Sequence, residues 1–391
     1  MQKNDLVDQI VPDVLAWQRQ IHANPELGFE ERATSDLVAE KLKEFGLEVH
    51  RDVSATAVVG VLWAGSGDRK IMFRAELDAL PVKEDTGLPH SSRVDGVMHA
   101  CGHDAHSAML LGAAKLLAQT RDFDGTIYFV FQPAEEVHGG GKQLVTDGLF
   151  KRFPAQSVFS QHSWPGLKEG SVVATSGPFM AAVDDFTLTF SGNGAHAAMP
   201  ELGDDPVLAS AEFISAVQRV VSRSVNPLEA LVLSITQVHG GSINNIVPDR
   251  MELQGTARFF NPAFSDHVEA QLHKIAGGIA QSHGLTYALD YRNGYPAVIN
   301  TEGGAAAVRR AAGTFLADDQ IITNQPPTLG CEDFAFMLNA VGEGAHIWLG
   351  AGEVGPRAGL HGDQFVFNDK LFPLGLRLWQ SLAGTLLPRG A

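Results

Sequence analysis

Four short segments of this 391-residue chain concentrate side chains able to hold a metal and move protons. They are Met98-His99-Ala100-Cys101-Gly102-His103-Asp104, Gln132-Pro133-Ala134-Glu135-Glu136, Gln161-His162-Ser163-Trp164-Pro165 and Gly359-Leu360-His361-Gly362-Asp363. Thiolate, imidazole and carboxylate are the donors that borderline divalent metals take. A carboxylate beside such a metal can also carry a proton while a bond breaks. Each segment alone has an ordinary reading: an incidental C-x-H pair, a solvated Glu-Glu loop, a His in a Gly-rich turn. Only convergence would make them a site.

Convergence depends on the surrounding elements. Residues 1–22 read as an amphipathic helix, with Val7, Ile10, Val14, Trp17 and Ile21 at helical spacing. A second helical stripe, Ala33, Leu37, Val38, Leu42 and Phe45, stops at Gly46. Apolar runs at 57–62 and 71–73, a helix over 105–117, and strand-like runs at 126–131 and 157–161 follow. This order predicts an α/β layer with a mainly parallel central sheet and helices on both faces. The four segments fall just after predicted strands or in loops, and open α/β sheets bind ligands beyond the carboxyl ends of their strands.

The pattern changes near residue 182. A strand with period-two alternation at 186–190 precedes a helix at 206–222, strands at 230–238 and 250–259, a helix at 264–282 and a strand at 285–291. The order β-α-β-β-α-β is that of a ferredoxin-like unit. Helix and strand alternate again after Tyr295, with an apolar run at 347–349. The expected organisation is a catalytic domain, 1–181 and 295–391, into which an α+β domain, 182–294, is inserted. A chain of 391 residues also exceeds what one hydrophobic core comfortably serves.

The formal charge of −16, from 29 basic and 45 acidic residues, repels phosphate backbones and anionic bilayers. Neither a nucleic-acid nor a membrane partner is expected. The two cysteines, Cys101 and Cys331, are no disulfide framework. The first helix lacks the apolar core of a secretory signal, and no stretch approaches the roughly 20 apolar residues of a membrane span. A cytoplasmic protein is expected.

The strings Asn24-Pro25-Glu26-Leu27, Ala79-Leu80-Pro81, Met98 to His106, Gln132 to Glu136, and Gly194-Ala195-His196-Ala197-Ala198-Met199-Pro200 resemble the M20 peptidase family. More narrowly they are similar to its amidohydrolase branch, which includes hippurate hydrolases, N-acyl-amino-acid amidohydrolases and auxin-conjugate hydrolases. The likeness runs in order from Arg19 to Asp369. It implies a catalytic α/β domain with two adjacent divalent metal ions and an inserted ferredoxin-like lid. Carried over by motif, Cys101 would lie between the metals as a thiolate. His103 and His162 would complete one position, Glu136 and His361 the other, and Glu135 would be the general base. The metals stay open among Mn, Zn, Co and Ni. Two ions about 3.5–4 Å apart can clamp an attacking water and a carbonyl oxygen, and bring the water's pKa towards about 7. Successive residues of an extended segment point to different sides, so Glu136 can bind metal while Glu135 faces the water.

Most of the wider family places His-x-Asp where this chain has Glu76-Leu77-Asp78, a departure that fits the amidohydrolase branch. Asp78 is then a candidate to orient a ligand, or else a cap on the turn before Pro81. In such a family the lid of one subunit reaches the active site of its dimer partner, so a homodimer is implied. There His196 would stabilise the oxyanion, and Asn245 and Arg258 would bind substrate, Arg258 by pairing with its carboxylate. Arg258 on a solvated strand face and Asn245 as a turn former are the plain alternatives. His106 is expected to support the cluster. His22, His50, His90, His99, His138, His239, His267, His283 and His346 lack a ligand context.

The expected reaction is hydrolysis of an N-acyl amino acid to a carboxylic acid and a free amino acid. Rivals are a dipeptidase, a carbamoyl-amino-acid hydrolase, or a non-catalytic binding protein. A Cys101 nucleophile with His103 as its base is a further reading. It leaves Glu135, Glu136, His162 and His361 without a role.

Overall fold

The protein's structure is a computed structural model that describes residues 3–137 and 139–389. His138, to which the sequence gives no role, lies outside them. From the N-terminus run α1 (Lys3–His22), α2 (Arg32–Glu44), β1 (Glu48–His50), β2 (Val58–Ala64), β3 (Lys70–Glu76), α3 (His103–Thr120), β4 (Gly125–Gln132), β5 (Ser157–Trp164) and β6 (Val172–Val173). There follow β7 (Ala182–Ser191), α4 (Pro206–Arg223), β8 (Leu231–Gly240), β9 (Arg250–Phe259), α5 (Ala263–His283) and β10 (Thr286–Asn293). The last stretch adds α6 (Glu302–Ala312), β11 (Ile321–Ile322), α7 (Phe334–Val341), β12 (Gly344–Gly350) and α8 (Leu371–Leu386). The chain divides into two compact units. One takes Met1–Phe179, Ile299–Pro326 and Asp333–Ala391; the other takes Met180–Val298 and Pro327–Glu332.

The first unit is built on an eight-stranded sheet ordered β1-β2-β4-β3-β5-β12-β6-β11. Its centre is parallel, β4 to β3 to β5 to β12, which is the arrangement the alternation of helix and strand predicts. Antiparallel pairs flank it, β1 with β2, β2 with β4, and β12 with β6, while the edge strand β11 pairs parallel with β6. Strand periodicity places side chains on both faces. On one face Phe73 meets Trp379 of α8, with ring centroids 4.4 Å apart. On the other, Arg74 lies against the ring of Phe334 in α7. Helices therefore cover both faces, and every residue of β12 is buried, as a central parallel strand should be.

α3 is apolar nearly all round and buried from His103 to Ala114, the pattern of an internal helix. Gly112 lets its neighbours approach. A Cβ there would stand 2.5 Å from Val14 of α1 and 2.7 Å from Leu376 of α8. The α1 stripe Val7, Ile10, Val14, Trp17 and Ile21 is buried as its spacing predicts. The α2 stripe is shifted: Val38 and Leu42 are buried with Thr34, Ser35 and Ala39, while Ala33 is exposed. α2 closes at Gly46, whose φ of 80° is one that glycine adopts without strain.

The second unit runs β7-α4-β8-β9-α5-β10, with an antiparallel sheet ordered β8-β9-β7-β10. This is ferredoxin-like topology. β9 alternates buried and half-buried residues along its length, so one sheet face carries the core shared with α4 and α5. Among the described residues no helix is long and apolar enough to cross a membrane.

Candidate metal centre and active site

β4, β3 and β5 are neighbours, so their carboxyl ends open side by side. Asp78 follows the end of β3, Glu135 and Glu136 follow the end of β4, and His162 lies near the carboxyl end of β5. Sequence periodicity ends that strand at 161; the ladder to β12 carries it through His162 to Trp164. Cys101 and His103 flank Gly102, whose φ of 88° turns the chain into α3. A residue with a side chain would pay about 1–2 kcal/mol for that left-handed conformation. His361 comes from the irregular segment between β12 and α8 and itself has φ 64°.

Among the described residues of the first unit, four sets of donor atoms converge within 4.8 Å, and two of them are Cys101, His103 and His162, and Cys101, Glu136 and His361. These two share the sulfur. Cys101 Sγ lies 3.4 Å from His162 Nε2, and Glu136 Oε1 lies 3.8 Å from His103 Nε2 and 3.3 Å from His361 Nε2. A third set joins Glu135 and Glu136 to His103, and a fourth joins Glu76 and His106 to His103. Glu135 and Glu136 thus reach one place, which corrects the expectation that an extended segment sends them apart. They sit in a turn, and Ala134 before them has φ 53°.

Hydrogen bonds settle which ring nitrogens face the cluster. His103 Nδ1 donates to Asp78, 3.0 Å from its carbonyl and 3.1 Å from Oδ1. His162 Nδ1 donates to the Ser163 carbonyl at 2.7 Å. In the neutral, metal-binding form of each ring, Nε2 then carries the lone pair and faces inward. Asp78 Oδ2 accepts the Glu136 N–H at 3.0 Å, so one carboxylate orients two cluster residues. Burial would raise the Asp78 carboxyl. The His103 hydrogen bond and charge, with the N–H groups of Glu136 and Glu135, outweigh it and hold it below its usual range. Burial, then the charges of Glu136 and Glu135, push the Cys101 thiol well up, so it ionises only against added positive charge.

Several supporting residues carry no sequence signal as a set. His106 Nδ1 lies 3.0 Å from Glu76 Oε2, and its Nε2 accepts the Ser163 N–H at 3.0 Å, so His106 does support the cluster. Glu76 also pairs with Arg74, fully buried in β3. Arg74 donates to Gln132 and to Asp333 at 2.8 Å, and the Asp333 N–H reaches Glu135 Oε1 at 3.4 Å. Glu31, also fully buried, accepts the Ala134 N–H at 2.9 Å and the Thr56 hydroxyl at 2.6 Å. His22 binds Asp104, next to His103, at 2.8 Å. A hint existed for Arg74 alone: a charge interrupting an apolar strand run.

In the second unit His196 and Asn245 come together. His196 pairs with Ile246 across a two-residue ladder, and the Asn245 carbonyl accepts the Ala197 N–H at 3.0 Å. His196 Nδ1 accepts the Ala198 N–H at 3.1 Å, so the neutral ring carries its proton on Nε2 and can donate there. Its side chain is exposed. Arg258 lies elsewhere, in a hollow of about 390 Å³ on the open sheet face with Asp185, Gln254, Thr256 and Arg292; neither His196 nor Asn245 lines it.

The first-unit cluster fits divalent metal. His103 Nε2 and Glu136 Oε1 are buried and make no hydrogen bond, an expensive condition unless a cation occupies the space between them. Sulfur, imidazole and carboxylate together suit Zn, Mn, Co or Ni.

Comparison with known proteins points the same way. A model of peptidase family M20/M25/M40 matches residues 72–385. Hippurate hydrolase of Campylobacter jejuni is 37% identical, over 96% of this chain and 98% of its own. N-acyl-L-amino acid amidohydrolase of Geobacillus stearothermophilus is 41% identical, over 76% and 81%. The crystal structure of a Bacillus subtilis dinuclear metal-binding peptidase of the M20 family superposes with a TM-score of 0.85 at 29% identity, covering 97% of this chain and 99% of that one.

Proposed function

This chain belongs to peptidase family M20/M25/M40 and is a hydrolase of amide bonds, and from that premise we propose that its substrates are N-acyl amino acids, cleaved to a carboxylic acid and a free amino acid. The observation that carries the reading is the pair of donor sets sharing Cys101, with Glu135 gathered beside His103 and Glu136. The names of the Campylobacter and Geobacillus relatives support the substrate class.

In this reading Cys101, His103 and His162 would hold one divalent ion, and Cys101, Glu136 and His361 a second. Bound there, such ions would polarise the amide carbonyl and make a water acidic enough to react near neutral pH. Glu135 takes the water's proton and delivers it to the leaving nitrogen, both halves of general acid–base catalysis. Asp78 keeps His103 in the tautomer that can ligate. His196 donates from Nε2 to the oxygen that gains charge as the carbonyl becomes tetrahedral. Arg258 offers a guanidinium fork to the substrate carboxylate, with Asn245 beside His196. The inserted domain, 182–294, acts as lid and dimerisation domain of a cytoplasmic homodimer.

The test is release of free amino acid by chelated protein, with and without added Mn²⁺ or Zn²⁺, across acetyl, benzoyl, indole-acetyl and long-chain acyl substrates. Cleavage restored by metal for any member supports the reading. Silence across the panel from folded, metal-loaded protein would sink it, and dipeptides and N-carbamoyl amino acids would be tried next.

A further inference from the structure

His361 is the outlying member of the cluster. Its side chain is 54% exposed, whereas Cys101, His103 and His162 are buried. It sits outside any helix or strand and in a left-handed conformation that a non-glycine residue adopts only when its surroundings impose it. The surroundings are specific. Arg357 Nε donates to Asp363 Oδ1 at 3.0 Å, and its Nη2 reaches both Asp363 Oδ2 and, at 2.8 Å, Asp85 Oδ2. Gln364 adds a bond to the same Asp85 oxygen at 3.2 Å, and the Asp85 N–H donates to the Asp363 carbonyl at 2.8 Å. Across the neck of the loop, the Gln364 N–H donates to the Arg357 carbonyl at 3.2 Å. Gly362 packs so closely that a Cβ would lie 2.1 Å from the Arg357 carbonyl oxygen. At the tip, the His361 N–H donates to the Ala100 carbonyl at 2.8 Å, one residue before Cys101.

We infer that Arg357 is the positioning residue for His361: its fork closes the 357–364 loop and ties it to Asp85, so that the imidazole is presented to Glu136 before any metal arrives. The inference rests on the proposed reading of His361 as a ligand. A ligand on an open loop must be ordered when metal binds, and that ordering weakens binding; a loop already closed has met the cost in folding. An exposed ion pair adds little to global stability, but a bidentate fork shared by two carboxylates sets geometry. The consequence is local. Losing the fork should weaken the metal position that uses His361 and spare the one built from Cys101, His103 and His162.

The experiment titrates chelated full-length protein with Mn²⁺, following bound metal and the electron paramagnetic resonance spectrum, which distinguishes a coupled pair from an isolated ion. Arg357→Met, Asp85→Ala and His361→Ala are compared with the unaltered protein, and thermal midpoints are recorded. The expected result is that Arg357→Met and Asp85→Ala weaken one position by about 10–100-fold, leave the other unchanged, lose the coupled spectrum and keep their midpoints. Arg357→Lys, which cannot fork, should recover little. If His361→Ala loses one position while Arg357→Met and Asp85→Ala bind both normally, the clamp is overturned and the ligand reading stands. If His361→Ala itself binds both normally, the ligand reading fails and the clamp fails with it.

Discussion

A carboxylate that shuttles a proton must stay near the metals without being captured by them. In the proposed reading Glu135 is that carboxylate: its Oε1 lies 3.4 Å from the Asp333 N–H, while its neighbour Glu136 is turned to His103 and His361. Glu135→Gln keeps the shape and the hydrogen-bond acceptor but removes the base. The expected outcome is metal content equal to that of the unaltered protein and a kcat lower by about 10²–10⁴-fold. Metal analysis beside steady-state kinetics checks it, and full activity would remove Glu135 from the mechanism. The donors of the cluster were legible as residue types, and their grouping followed from the family resemblance. Asp78 was legible only as one of two alternatives, to orient a ligand or to cap a turn; its carboxylate bonds His103 and the Glu136 N–H. Glu31 carried no signal, and Asp333 none beyond the resemblance of Glu332-Asp333-Phe334 to the family. Each is the second of two adjacent acids, Glu30-Glu31 and Glu332-Asp333, and nothing local says that it will be buried against a backbone N–H more than a hundred residues away.

The turn after β4 does for the two glutamates what no single residue could. Gln132 ends the strand, Pro133 removes a donor, and Ala134 enters the left-handed region, which swings Glu135 and Glu136 towards the same space. Alanine gives no warning of positive φ, so the sequence reads this stretch as extended; the short strands β1, β6 and β11, of two or three residues each, escape periodicity because they are too short to show it. By contrast, the long elements β7, α4, β9 and α5 were visible within a few residues because their apolar spacing spans many turns or pleats. What holds Ala134 is Glu31, whose carboxyl burial pushes up and whose bonds to Thr56 and Ala134 pull down, leaving it raised. Glu31→Gln retains an oxygen for the Ala134 N–H, whereas Glu31→Ala leaves that buried donor unpaired. Glu31→Ala should therefore lose about 1–3 kcal/mol in urea unfolding, with a lower kcat at saturating metal, and Glu31→Gln should lie near the unaltered protein in both. Equal behaviour of the two variants would mean that the turn holds its shape without Glu31.

At the scale of the molecule, the proposed chemistry divides between two compact units, with the ligands and Glu135 in one and His196, Asn245 and Arg258 in the other. A homodimer in which each lid serves its partner makes a sharp prediction, because a catalytic-unit defect and a lid defect then complement each other. Glu135→Gln and His196→Ala are each expected to be nearly inactive alone. Co-expressed with different tags and purified through both, the heterodimer has one centre with two damaged contributors and one with none. Its activity should be about half that of the unaltered dimer, since one of two symmetric sites is restored. If the lid serves the centre on its own chain, both sites of that heterodimer carry one defect, and activity stays at the parental level. Failure to recover any doubly tagged species would remove the dimer itself from the proposal. The comparison isolates the trans arrangement from general damage, because both substitutions are present in equal amounts whichever way the lids reach.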